Sequence, residues 1–228
     1  MFYLDPTILL ILPGMLLAMW AQSKVQRAFH KYAKVPARSG MTGSQLTRTL
    51  LANAGVTDIE LARVHGTLTD NFNPASRTLS LSEDVYDSAS IAALGVAAHE
   101  CGHVMQHQSG YAMLGLRSFI VPMVNIGSGL SWPIFLLGFL FSWEPLILAG
   151  IVLFSVTVLF TLVTLPVEFN ASGRAMRLLE STGALQADEL SGARKVLTAA
   201  SLTYVASALS AILQLARLLL LSGNRRRR

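Results

Sequence analysis

The residues with the clearest chemical potential lie in "GVAAHECGHVMQHQ" (95–108), which holds three of the five histidines of the chain. His99 and His103 are four residues apart, so on a helix their imidazoles lie on one face and can share a metal ion. Glu100 follows His99 by one residue, so the two side chains are separated by about 100° around the helix axis. Its carboxylate could there hold and deprotonate a water molecule beside the metal. The H-E-x-x-H pattern therefore predicts a zinc site with His99 and His103 as ligands and Glu100 as general base.

The alternative for this stretch is a polar seam on a helix buried among membrane spans. Two histidines and a glutamate without partners would be costly in such an apolar setting, so the zinc site is favoured. Cys101 faces elsewhere and is expected in the core; as the single cysteine it excludes an internal disulfide and a Cys-type zinc site. His30 is expected at the surface, and His107 either at the surface or as a support for the ligand histidines. His65 lies on a predicted strand and is expected to be structural, although it could reach a cleft.

A catalytic zinc ion needs a third protein ligand and one open position. The metzincin pattern would place Gly three and His six residues after the second histidine, but Gln106 and Ser109 occupy those positions. A glutamate from a later helix is the remaining alternative.

Composition indicates a membrane protein with one modest soluble part. Of the 228 residues, 52% are hydrophobic and only 14% charged, whereas about a quarter of a soluble domain is normally charged. The basic residues are scattered and no aromatic-basic surface is evident, so nucleic acid is not an expected partner.

The apolar runs and their spacing predict seven segments. These are a transmembrane anchor (1–23), a cytoplasmic catalytic part with the HExxH helix (24–118), two transmembrane helices (119–141 and 145–166), a cytoplasmic helical part with the third zinc ligand (167–200), an apolar helix (201–221) and a basic tail (222–228). The first segment has no basic start and no small-residue cleavage site, so it is expected to be retained rather than removed as a signal peptide.

Basic residues predict which side each segment faces. A basic cluster follows the anchor at once, Arg117 precedes the second span, and Arg174 and Arg177 follow the third. The anchor and the turn between the hairpin helices contain no Lys or Arg. By the positive-inside rule, the N-terminus and this turn face outward, and the catalytic and helical parts face the cytoplasm.

The same reasoning selects the third ligand among later glutamates. Glu144 lies at the outer turn, and Glu180 and Glu189 are expected to be exposed helix carboxylates. Glu168 follows the third span directly, on the side of the HExxH helix, and is the predicted ligand.

Segment 201–221 allows two interpretations. A fourth span would carry the arginine tail outward, against the charge rule. Polar side chains also recur along one face of the segment. They are Thr203, Ser207, Ser210, Gln214 and Arg217. Both observations favour an interfacial or inward-packed helix.

Residues 41–118 are expected to mix helix and strand. "TGSQLTRTLLANAGV" is typical of a short amphipathic helix that ends before Gly55. "ELARVHGTLTDNF" and "RTLSLS", joined by "NPAS", predict two strands and a tight turn. Ser88 or Ser90 could then cap a helix that runs to about Gln108.

Several stretches resemble the bacterial neutral zinc metallopeptidases of the YugP-like membrane family, from about Phe2 to Leu221. They are "TLSLSEDVY", "AALGVAAHECGHVMQH", "LRSFIVPMVNIGSGLSWP", "LVTLPVEFNAS" and "GARKVLTAASLTYVASALSAILQLARLL". More distantly, HExxH followed by "EFNAS" is similar to the HtpX-like and prenyl-protein membrane peptidases.

This resemblance implies the gluzincin arrangement, with His99, His103 and Glu168 binding one zinc ion per chain and Glu100 as base. Ser172 stands four residues after Glu168, where those peptidases usually have an aspartate. Asp70 and Asn170 are then the candidates to replace that carboxylate. The expected fold class is a mainly α membrane protein, in which transmembrane helices accompany a small cytoplasmic α+β gluzincin-like (zincin) domain with a β-hairpin edge strand.

The expected function is a zinc endopeptidase of the bacterial cytoplasmic (inner) membrane. It would cleave extended, misfolded or membrane polypeptides on the cytoplasmic side, and its partners are a polypeptide substrate and the lipid bilayer. Thr78, Leu79, Ser80 and Leu81 are expected to form an edge strand that pairs with the substrate. An oxyanion donor is needed, and Tyr204, His65 and Asn170 are the candidates.

Two rival functions follow from the same residues. A site-2-type intramembrane protease would need a second ligand motif within a span, and no Asp lies within spans two and three. A catalytically inactive zinc adaptor would not require Glu100. The sequence carries no signal for a regulatory membrane partner or for homo-oligomerisation.

Overall fold

The protein is mostly helical, with one small sheet. The computed structural model describes residues 6–226; the predicted extension of the anchor through Phe2 to Leu4 and the end of the basic tail lie outside these residues. A 3₁₀ turn at Pro6–Leu10 precedes the first helix. The elements that follow are α1 (Leu12–Ala33), α2 (Gly43–Asn53), β1 (Glu60–Val64), β2 (Asn71–Asn73), β3 (Thr78–Ser82), α3 (Glu83–Tyr86), α4 (Ile91–Gln108), α5 (Ala112–Leu140), α6 (Glu144–Ser181) and α7 (Ala187–Arg226).

Within residues 6–226, four helical stretches are long and apolar enough to cross a bilayer. They are 6–33, which includes α1, and the helices α5, α6 and α7 up to Gly223. Large apolar side chains along them are exposed, as Phe119 and Leu140 illustrate. The apolar segment 201–221 is the C-terminal half of the 40-residue helix α7, and it qualifies as a span by length and composition.

The chain forms two compact units. The first comprises residues 6–21, 112–166 and 202–226 of the described chain, and the second comprises Gln22–Tyr111 and Val167–Ser201. In the first unit, α5 and α6 form a tight hairpin. A Cβ on Gly138 would lie 2.5 Å from the backbone nitrogen of Ile147, so only glycine allows this approach.

Helix α4 is the central element of the second unit and is buried on nearly all sides. Its core-facing residues include Ala93, Leu94, Ala97 and Cys101, each fully buried. Burial raises the pKa of the Cys101 thiol to about 12, so the thiol stays protonated and belongs to the core, as predicted. The Ser90 hydroxyl accepts a hydrogen bond from the backbone N–H of Ala93 and begins the helix.

The predicted amphipathic helix is α2. The Thr42 side chain accepts from the Gln45 backbone N–H, and the Gln45 side chain accepts from the Thr42 N–H. This reciprocal capping satisfies two N–H groups at the start of the helix. Leu46 and Leu50 on its inner face are buried in the core that α4 also enters.

The prediction of β3 as an edge strand is wrong. The sheet order is β1-β3-β2, with β3 parallel to β1 and antiparallel to β2. Thr78, Leu79 and Ser80 have partners on both sides, and beyond β2 the N–H of Ser82 donates to the Asp70 carboxylate. A central strand has no free edge for a substrate strand, so the edges belong to β1 and β2.

The predicted first strand of the hairpin is in fact two strands. The turn from Asn73 to Thr78 joins β2 to β3 as expected, but residues 65–70 separate β1 from β2. Gly66 and Leu68 in this segment have positive φ angles of 108° and 58°. Such left-handed backbone cannot continue a strand, so the chain turns back and places β1 on the far side of β3.

Candidate metal centre

Helices α4 and α6 bring His99, His103 and Glu168 together within the second unit. Glu168 Oε2 lies 3.3 Å from His99 Nε2 and 3.6 Å from His103 Nε2. The two imidazole centroids are 4.8 Å apart. The side chains of His99, His103 and Glu168 are only 13%, 9% and 3% exposed. The three predicted ligands therefore form one buried cluster.

The geometry of this cluster fits a zinc ion. One ligand atom from each side chain lies within 4.8 Å of the others. Nitrogen and oxygen ligands about 2.0–2.1 Å from a tetrahedral zinc ion are themselves roughly 3.3–3.4 Å apart. The two N···O distances are close to that value. Two imidazoles and one carboxylate are also the ligand set of several catalytic zinc sites, which keep a fourth position for water or substrate.

A close contact between the helix backbones positions Glu168 beside the histidines. Gly102 lies between Glu100 and His103, and a Cβ on it would lie 2.5 Å from the Ala171 carbonyl oxygen on α6. Real Cβ atoms do not approach a carbonyl so closely. The glycine in the HExxH stretch therefore allows α6 to pack directly against the ligand face of α4.

Each ligand imidazole has a polar contact at its other nitrogen. Ser172 Oγ lies 3.2 Å from His99 Nδ1, and Gln106 Oε1 lies 2.9 Å from His103 Nδ1. The Gln106 amide group donates elsewhere, so its Oε1 acts as an acceptor and His103 Nδ1 carries the proton. His103 Nε2 faces Glu168, and once this nitrogen gives up its own proton its lone pair can bind a metal there.

Gln106 is itself held by a buried network. Its Nε2 donates to the Val167 carbonyl at 2.7 Å and to Asn170 Oδ1 at 3.1 Å. Arg174 Nε donates to the same Asn170 oxygen at 2.8 Å. Arg174 also reaches the carbonyl of Met105 at 3.4 Å. The predicted residue Asn170 thus supports the site indirectly, through Gln106.

Glu100 lies beside the cluster and is buried. Burial raises the pKa of its carboxyl, and the imidazoles of His103 and His99 oppose that rise. A carboxylate with a raised pKa binds a proton more readily than one in water.

Asp70 contacts the sheet instead of a ligand imidazole. Its carboxylate accepts hydrogen bonds from the Ser82 backbone N–H at 2.8 Å and the Ser82 hydroxyl at 3.0 Å. Burial raises the pKa of Asp70, and these bonds oppose that rise. Its negative charge in turn contributes to the raised pKa of Glu100. Asp70 therefore acts on the site through its charge.

The other predicted candidates are His65 and Tyr204. The His65 side chain is 94% exposed and pairs with Glu83 at 2.8 Å. Tyr204 is half-buried on the part of α7 that belongs to the first unit. His107 and His30 are exposed as expected.

One expectation about the later glutamates is wrong. Glu180 is exposed, but Glu189 is buried. Its carboxylate accepts from the backbone N–H groups of Gln186 and Arg38 at 2.8 and 2.9 Å. The N-terminal end of α7 therefore uses this carboxylate as a cap.

Sequence reasoning missed Gln106 and treated Ser172 only as a departure from a pattern. Gln106 follows His103 by three residues, a spacing that places two side chains next to each other on a helix. A glutamine three residues after a predicted ligand was therefore the available signal in the sequence. Ser172 is four residues after Glu168, and its hydroxyl reaches the imidazole that an aspartate would otherwise contact.

Comparisons with known proteins identify the family of this chain. A family model described as "Putative neutral zinc metallopeptidase" matches residues 7–223. The chain is 47% identical to "Putative membrane protease YugP" of Bacillus subtilis (strain 168) over 219 residues, which cover 96% of this chain and 97% of that protein. No solved structure matches the chain significantly. The chain belongs to the neutral zinc metallopeptidase family.

Proposed function

We propose that this protein is a membrane-bound zinc endopeptidase that hydrolyses peptide bonds of extended polypeptides. The observation that carries the proposal is the buried cluster of His99, His103 and Glu168, with the Glu100 carboxylate beside it. A structural zinc site would be closed by four protein ligands. Three ligands with a buried base next to them favour catalysis.

His99, His103 and Glu168 would hold the zinc ion, which when bound supplies a Lewis acid for the scissile carbonyl. Glu100 takes a proton from the attacking water as the new C–O bond forms. It then passes this proton to the amine nitrogen as the C–N bond breaks. Ser172 and Gln106 orient the ligand imidazoles through their Nδ1 atoms.

The gluzincin arrangement is part of this proposal. It rests on the HExxH helix and on a glutamate from a later helix. Ser172, in place of the usual aspartate, gives His99 a neutral hydrogen-bond partner. We infer that Gln106 compensates on His103, since its carbonyl oxygen accepts from that ring in a buried setting.

The proposed location is the bacterial cytoplasmic membrane, with the active site facing the cytoplasm. Four helices are apolar enough to span. The segments 24–118 and 167–200 would be the cytoplasmic catalytic and helical parts, because the basic residues concentrate there. The site would then meet substrates at the membrane surface.

Glu100→Gln tests the proposal. The amide keeps the size and hydrogen bonding of the side chain but cannot accept the proton. We expect zinc content to remain near that of the parent and casein cleavage to fall by at least about 10²-fold. Glu60→Gln, an exposed strand residue, is the matched control and should behave like the parent.

Both quantities are measured on the same detergent-solubilised preparation, with a chelator-treated sample to define metal-independent cleavage. Parental cleavage by Glu100→Gln would exclude this residue as the base. Loss of zinc in the same variant would make Glu100 a ligand instead.

A further inference from the structure

A groove in the second unit is lined by α6 and α7. It has a volume of about 360 Å³. The α6 residues that line it include Phe169, Ser172 and Arg177, and the α7 residues include Arg194 and Leu197. On each helix they recur at steps of three and four, so they form one continuous face.

The groove begins next to the cluster of His99, His103 and Glu168. Ser172 lines it, and the hydroxyl of the same residue lies 3.2 Å from His99 Nδ1. One side chain therefore separates the groove from a ligand imidazole. Ser172 contacts the ring nitrogen that faces away from Glu168, so a substrate held at the cluster reaches the groove only by passing around this imidazole, and each extended residue adds about 3.3 Å.

The charges of the groove favour an anionic ligand. Arg177 and Arg194 both line it and are exposed, and neither forms an ion pair or a hydrogen bond with another residue in the described part of the chain. Glu180 also lines the groove, so the two guanidinium groups leave an excess of one positive charge. Unpaired arginines in a concave site are suited to bind a carboxylate through two parallel hydrogen bonds.

We propose that this groove binds an acidic side chain of the substrate polypeptide, close to the scissile bond. The inference rests on the proposed function and adds a substrate preference to it. Arg177 and Arg194 would bind the carboxylate of an aspartate or glutamate. Met176 and Leu197, which also line the groove, would contact the aliphatic part of the same or an adjacent side chain.

Peptide pairs that differ only by Glu or Gln test the preference. Each of the three positions on either side of a cleaved bond is varied in turn in a fluorogenic peptide, and kcat/KM is measured for both members. For the parent we expect a Glu over Gln ratio of at least about tenfold at one position, since charge-assisted hydrogen bonds are worth more than neutral ones.

Variants connect the preference to the groove. The double variant Arg177→Ala and Arg194→Ala should bring the ratio close to one, and Arg194→Glu should shift the preference toward Lys. Lys195→Ala is the matched control, because it removes an exposed cation from the same helix without lining the groove. It should retain the parental ratio. Each ratio compares two peptides on one preparation, so it is independent of protein yield.

A binding measurement separates this inference from the proposed function. The Glu and Gln peptides are titrated against zinc-loaded Glu100→Gln and against Glu100→Gln with the two arginines replaced. Tighter binding of the Glu peptide that depends on the arginines supports the groove, even if the parent cleaves no peptide.

A Glu over Gln ratio near one at every position in the parent would overturn the proposal. So would a parental ratio that is unchanged in the double arginine variant. A lipid headgroup is the other anionic ligand that could bind there. If vesicles with phosphatidylglycerol alter cleavage only when both arginines are present, while Glu and Gln peptides are cleaved alike, the groove binds lipid and the proposal fails.

Discussion

At the scale of single residues, the cluster combines one buried carboxylate with two imidazoles. Glu168 is buried together with two imidazoles, and a buried carboxylate is costly unless it is paired. The imidazoles of His99 and His103 provide that pairing. A divalent ion bound among the three would replace these contacts with stronger ones, so the metal should also stabilise the folded protein.

Metal content follows directly from this arrangement. The purified protein should contain about one zinc ion per chain, because one cluster supplies three ligands. Glu168→Ala removes one ligand, and His103→Ala another, so each should lose most of the metal. Elemental analysis of the dialysed variants measures this, with Glu60→Ala as the control that keeps its zinc. Full occupancy in both ligand variants would contradict the assignment.

Gln106 provides a second test at this scale. Gln106→Leu removes the acceptor for His103 Nδ1 and leaves the ring free to change tautomer. We expect zinc affinity to fall by about 10–100-fold, as for other residues that orient a metal-bound histidine. Competition with a chromophoric chelator gives the affinity.

Gln108→Leu is the matched control for this test. The glutamine lies on the same helix but is exposed, and its side chain only approaches Asp58 at 3.5 Å. It should bind zinc like the parent. An equal loss in both variants would indicate a general effect on α4 instead of a role in orienting His103.

At the scale of elements, the site depends on how closely α4 and α6 pack. Neither helix carries a complete ligand set, since the histidines belong to α4 and the glutamate to α6. The lack of a side chain at Gly102 allows the contact with Ala171. The backbone contact and the cluster of His99, His103 and Glu168 therefore both depend on the close packing of α4 against α6.

Gly102→Ala tests this dependence. The added methyl group would force the two helices apart, and we expect a loss of about 1–3 kcal/mol in stability together with weaker zinc binding. Gly95→Ala is the control on the same helix, where a Cβ would lie in ordinary contact, 3.5 Å from the Ala193 Cβ. Alanine has a higher helix propensity than glycine, so this variant should be as stable as the parent or more so. Thermal unfolding and chelator competition measure both quantities.

If Gly102→Ala retained parental stability and zinc affinity, the close contact would not control the site. If both glycine variants lost zinc alike, any added methyl group on α4 would be harmful. Only a difference between the two positions supports the argument.

At the scale of the whole molecule, the distribution of basic residues sets the expected orientation. Residues 118–173 contain no Lys or Arg, and Arg117 and Arg174 stand on either side of them. This segment comprises most of α5, the turn and the apolar part of α6. The positive-inside rule then predicts that the turn lies on the outer side of the membrane.

Cysteine labelling in intact cells tests the orientation. A cysteine at Ser142, in the turn between α5 and α6, should react with a membrane-impermeant maleimide. A cysteine at Ser76, in the exposed turn between β2 and β3, should react only after the cells are lysed. The native Cys101 is buried, so its background is small, and a Cys101→Ala parent removes it. The opposite pattern would reverse the proposed orientation.

Local periodicity allowed the sequence by itself to predict the helix that carries His99, Glu100 and His103, since residues four apart share a helix face whatever surrounds them. The apolar runs predicted the helices of the hairpin for a similar reason, because length and composition alone decide whether a helix can span a bilayer. The caps at Thr42 and Ser90 were also within reach, as they depend on neighbouring residues.

Contacts between elements were decided only by the tertiary structure. Local pattern did not reveal that Ser172 would reach His99 or that Glu189 would be buried. The same holds for β3, whose alternating Leu79 and Leu81 predicted a half-buried strand but not its neighbours. Strand order depends on where the backbone between β1 and β2 turns, and helix approach depends on a missing side chain at Gly102. These are properties of pairs of segments distant in the chain, which one-dimensional periodicity does not encode.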